Sequence, residues 1–128
     1  MIIKIVTNND KILQLTKTID NIELDFIDGN IKDIIFYCRD LITTGWKLAV
    51  DPLAGYISRP NPFRTIVLIQ NSGEDNLPED VIVLEYLLSK YYGQQKEYEY
   101  AALKFKDDYS ELDFSLVLNA VEGLQKYP

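Results

Sequence analysis

The stretch Asn30-Ile31-Lys32-Asp33-Ile34-Ile35-Phe36-Tyr37-Cys38-Arg39-Asp40-Leu41-Ile42 decides the fold class. Its apolar residues Ile31, Ile34, Ile35, Cys38, Leu41 and Ile42 recur three and four apart, which draws one continuous stripe along a helix. Asn30 can cap that helix, and Asp33 stands in the first turn, where a carboxylate suits the helix dipole. Gly45 occupies the place of the left-handed residue that follows a helix end. Outward on both sides lie short strand-like runs, Ile2 to Val6 and Glu23 to Ile27 before the helix, Lys47 to Val50 and Thr65 to Ile69 after it. A second, shorter helix is expected over Lys11 to Ile19 from Ile12, Leu15 and Ile19, with Asn9 or Asp10 as its cap. The strand–helix–strand–helix–strand order predicts an α/β protein. Its form would be a small three-layer sandwich, a Rossmann-like half with a mostly parallel four-stranded sheet.

After Gly73 the pattern turns helical. Leu77-Pro78-Glu79-Asp80 reads as a helix start, continued by Val81, Leu84, Leu88 and Tyr91 towards Gly93. Tyr98, Ala101, Ala102 and Phe105 fit a further helical face, although the Tyr98/Tyr100 alternation also allows a strand. Ser110 with Asp113 can cap a last helix with Phe114, Val117, Val121 and Leu124 inward. The expected organisation is one domain over residues 1–128, with 74–108 as a helical insertion or arm.

A chain of 128 residues suits one domain that buries roughly two-thirds of its unfolded surface. With 47% hydrophobic and 26% charged residues the composition is that of a globular protein. Apolar runs end well short of the about 20 residues that span a bilayer. Met1 to Val6 is too short for a secretory signal, and the single cysteine, Cys38, has no internal disulfide partner, so a cytoplasmic setting is expected. The net charge of −7 is uneven: residues 1–70 balance to zero, and the whole excess lies in 71–128. That acidity argues against nucleic-acid binding, which needs clustered positive charge. It reads as a solvated surface or, more sharply, as a face for a basic partner.

Absences prune the chemistry. With no histidine there is no imidazole base, Ser–His–Asp triad or histidine-ligated metal, and one cysteine makes no thiolate zinc site. No glycine-rich phosphate loop follows a strand, so Asp28 after the second strand is an isolated echo of a dinucleotide fold. No cofactor, metal or catalytic residue is assigned.

What remains gathers at expected strand ends, where open α/β sheets place ligands. Thr7, Asn8 and Asn9 follow the first strand. The third leads into Asp51-Pro52-Leu53-Ala54-Gly55-Tyr56-Ile57-Ser58-Arg59-Pro60-Asn61-Pro62-Phe63-Arg64. Three prolines stiffen this loop, Gly55 frees one turn, and Arg59 and Arg64 offer planar donors for a carboxylate or phosphate. The candidate ligand or partner residues are Thr7, Asn8, Asn9, Asp51, Gly55, Arg59, Asn61 and Arg64. The plainer reading is that the prolines only route the chain and the arginines pair with Asp51 or Asp40. Cys38 and Trp46 read as packing residues.

Several of these segments resemble the GrdX family. They are Ile5-Val6-Thr7-Asn8-Asn9, Leu24-Asp25-Phe26-Ile27-Asp28-Gly29, Arg39-Asp40-Leu41, and above all Gly45-Trp46-Lys47-Leu48-Ala49-Val50-Asp51-Pro52-Leu53-Ala54-Gly55 with Arg59-Pro60-Asn61-Pro62-Phe63-Arg64. Leu112-Asp113-Phe114-Ser115-Leu116 is similar to that family's last helix. Trp46 and Asp51 stand where the family pattern carries histidines, and residues 74–108 look inserted. The resemblance implies an accessory setting beside the glycine, sarcosine and betaine reductases of anaerobic bacteria, without implying a reaction. The expected function is non-enzymatic, with the Asp51–Arg64 loop holding a protein partner or a small anionic ligand. The alternative is a small enzyme with Asp51 as base and Arg64 as anion clamp. A third reading makes the tyrosine-rich acidic segment after Gly73 a homodimer surface.

Overall fold

A computed structural model of the chain describes residues 1–51, 60–71 and 77–126. Four strands, β1 (Ile3–Thr7), β2 (Ile22–Phe26), β3 (Trp46–Leu48) and β4 (Thr65–Gln70), form one sheet in the order β2-β1-β4-β3. The helices are α1 (Ile31–Thr43), α2 (Leu77–Gly93), α3 (Gln95–Lys104) and α4 (Lys106–Lys126), with a 3-10 helix at Asp10–Lys17.

The α/β class is as the sequence implies, but the sheet is mixed rather than mostly parallel. β1 and β2 are parallel, Ile3 opposite Ile22 through Thr7 opposite Phe26, while β4 runs antiparallel to both β1 and β3. The reason lies in the connections. A parallel return needs a crossover, usually a helix. The proline-punctuated sequence between β3 and β4 carries no helix-spaced apolar stripe, and β4 comes back beside β3 in the opposite sense. The start of β4 therefore lies at the edge where β1 ends.

The crossover from β1 to β2 is a 3-10 helix where an α-helix was expected. Eight residues at the 3-10 rise cover about 16 Å, against about 12 Å for an α-helix. The longer reach matches five-residue strands of about 17 Å. Asn9 is the cap, its side chain accepting from the Lys11 backbone N–H.

Strand alternation sorts the core into two layers. Val6, Ile66 and Leu68 face α1 and α2, packing with Ile31, Ile34, Ile35, Cys38 and Leu84. Ile3, Ile5 and Val67 face the other way, onto Ile12 and Leu15 of the 3-10 helix and Val117 and Val121 of α4. Within the segment expected as an arm, α2 lies against α1 with Leu84 and Leu87 buried, and α3 seats Tyr98 and Ala101. Phe105, expected on that inner face, is 47% exposed.

α1 is built as its sequence reads. Asp33 N–H donates to Asn30 Oδ1 at 3.2 Å, and Asn30 N–H donates to Asp33 Oδ2 at 3.0 Å, a complete capping box. Gly45 has φ +105°, a conformation that favours glycine. Asn30→Ala should lower the unfolding free energy by about 1 kcal/mol in urea titrations, and Asn30→Ser should restore most of it.

Candidate functional site at the end of β1

Thr7 ends β1 and Thr65 opens β4 directly opposite, on the face covered by α4. Their hydroxyl oxygens are 2.7 Å apart, and Thr65 Oγ1 lies 2.8 Å from Asp113 Oδ2. An ionised carboxylate only accepts, so the single Thr65 proton goes to Asp113 and the Thr7 hydroxyl donates to Thr65. Thr7 Oγ1 in turn accepts the Asn9 backbone N–H at 3.0 Å. The Asn9 amide closes the loop, donating to Asp113 Oδ2 and to the Ser110 carbonyl, each at 3.0 Å. Ser110 Oγ donates back to Asn9 Oδ1 at 2.8 Å. Thr7, Asn9 and Asp113 are all completely buried.

This arrangement corrects the expected start of the last helix. α4 begins at Lys106, so Ser110 and Asp113 lie inside it rather than capping it. Spaced three apart, they continue the face of Val117 and Val121 and supply its polar end. The pattern that suggests a cap is the same pattern that places a hydroxyl and a carboxylate on one helix face.

Asn8 frames the neighbouring loop. Its Nδ2 donates to the carbonyls of Gly29 (3.1 Å) and Pro62 (3.2 Å), and its Oδ1 accepts the Arg64 backbone N–H at 2.9 Å. Asn61 accepts the Phe63 backbone N–H at 2.9 Å and donates to the Tyr109 carbonyl at 3.1 Å, tying the loop exit to α4. Arg64 is buried, only 2% exposed.

Of the residues singled out from sequence, Thr7, Asn8, Asn9, Asn61 and Arg64 thus meet at one sheet edge. Asp51 is exposed, and Gly55 and Arg59 lie outside the described residues. The hydrogen bonds of Thr7, Asn8, Asn9 and Asn61 given above bind the protein to itself, so these side chains build a frame. Thr65, Ser110 and Asp113 are the partners that sequence reasoning missed in this role. Among the described residues no group of three or more acids or cysteines is placed to hold a metal.

A separate polar group sits on the α1 face. Lys4 Nζ is 3.3 Å from Asp25 Oδ2 and 4.9 Å from the Trp46 ring centroid, and the Tyr37 hydroxyl donates to the same Asp25 oxygen at 2.7 Å. Cys38, completely buried, has its thiol pushed upward in pKa by burial, so it stays protonated.

Fold and edge together define a small mixed-sheet α/β protein whose strand-end loop is anchored from β1 and α4. The family comparison agrees with the segments quoted from sequence: the chain belongs to the GrdX-like protein family, whose model matches residues 4–122. That span takes in 74–108. No curated protein and no solved structure gives a significant match. Among the described residues no helix is long and apolar enough to cross a membrane.

The hydrogen bond that Tyr37 donates to Asp25, then burial and the Asp25 charge, raises the phenol from 10.0 to about 12. Because the folded value lies above the unfolded one, this contribution to stability is intact below about pH 10 and lost as pH rises to about 12. A phenolate absorbance titration of the native protein should show one late tyrosine. Tyr37→Phe should remove that step, and Asp25→Asn should move it to lower pH.

Proposed function

We propose that this chain is a non-enzymatic accessory protein of glycine-reductase-type metabolism. In this reading the exposed part of the Asp51–Arg64 loop engages a protein partner or a small anionic ligand. One observation carries it: Asn8 grips the loop exit at both Pro62 and Arg64 while Asn61 ties it to α4. A loop fastened this way on a rigid scaffold presents its outer residues in a fixed geometry, which lowers the entropy lost on binding. Arg59 supplies the planar cation suited to a carboxylate or phosphate. The absence of histidine and the burial of Arg64 leave the edge poor in groups for proton transfer.

Arg59→Ala is the informative substitution, because Arg64 is part of the buried frame. Purified protein immobilised against the separate components of a glycine reductase system should retain one of them, and Arg59→Ala should lose it with melting temperature unchanged. If retention needs a small anion, phosphate or acetate should raise the melting temperature of the native chain alone. Equal behaviour of native and Arg59→Ala proteins in both assays would remove the loop from the function.

A further inference from the structure

Between α3 and the start of α4 lies a hollow of about 390 Å³ lined by Pro60, Lys96, Glu97, Tyr100, Phe105 and Tyr109. The rings meet edge to face. Tyr100 and Phe105 have centroids 6.2 Å apart at 65°, and Phe105 and Tyr109 6.4 Å apart at 86°. Rings joined at their edges leave faces uncovered, and Tyr100 and Phe105 are 58% and 47% exposed. The Asn61 side chain, bonded to the Tyr109 carbonyl, fixes the adjoining Pro60–Pro62 segment to this wall. Glu97 forms no ion pair among the described residues. The hollow sits in the half of the chain that carries the entire net charge of −7.

We propose that this hollow is the docking point for an arginine side chain presented by a basic segment of a partner protein. A guanidinium uses all three features at once. Its plane stacks on an exposed ring face, its N–H groups reach a carboxylate such as Glu97, and its charge is drawn to the acidic half. An apolar anchor would leave Glu97 unused, and an anion would meet the wrong field. Lys96, on the same rim, opposes the incoming cation and tempers the affinity. This surface is distinct from Arg59 and the strand-end loop, so the two readings stand or fall separately.

The test is a titration of the full chain, followed by its backbone amide resonances at low ionic strength. The ligands are a blocked Gly-Arg-Gly peptide and its citrulline counterpart, which keeps the shape and removes the charge. The arginine peptide should shift amides within residues 96–109 and bind at least about fivefold more tightly than the citrulline peptide. Glu97→Gln, on an exposed side chain, should bring the two peptides within about twofold, and Lys96→Gln should tighten the arginine peptide. Arg59→Ala should change nothing here. Absent shifts in 96–109, equal binding of the citrulline peptide, indifference to Glu97→Gln, or loss on Arg59→Ala would each overturn the proposal.

Discussion

The buried carboxylate of Asp113 is the interaction on which the functional edge depends. It comes from α4, yet it accepts from Thr65 at the start of β4 and from Asn9 just after β1. Three distant parts of the chain are therefore joined at one oxygen. A buried carboxylate is costly unless its lone pairs are filled, and here the cost is offset by a chain of oriented donors running from the Asn9 backbone through Thr7 and Thr65. Position and polarity are thus fixed together: displacing α4 would strand two hydroxyls and an amide without partners.

From that point the rest of the edge follows. With Asn9 held by Asp113 and Ser110, the preceding Asn8 is placed to grip Gly29, Pro62 and Arg64. Asn61 adds a second tie to α4 through Tyr109, whose ring also lines the aromatic hollow. The strand-end loop and the hollow therefore share one support, although they differ in charge and in the chemistry they suit. A single buried network can hold two recognition surfaces in register without either supplying catalytic groups.

How much of this is legible from sequence depends on how local each cause is. The α1 capping box, the positive φ of Gly45 and the burial of Cys38 all follow from residues a few positions apart. Strand direction does not. β4 runs against its neighbours because of what the preceding connection lacks, and an expected crossover was assumed where the prolines between Asp51 and Arg64 supply none. Asp113 was misread for a related reason: Ser110 and Asp113 fit a cap locally, and only the packing of α4 on β1 and β4 gives them a buried role. Thr65 likewise reads as one more β-branched residue until Thr7 is seen opposite it.

Equilibrium urea unfolding of Asp113→Ala, alone and combined with Thr65→Val, tests the central claim most directly. The network predicts a loss of about 3 kcal/mol or more for Asp113→Ala, since a charged acceptor is removed and its donors are left buried. It also predicts coupling of about 1 kcal/mol or more between the two substitutions. A loss no greater than that of the exposed Glu122→Ala, with strictly additive effects, would contradict it.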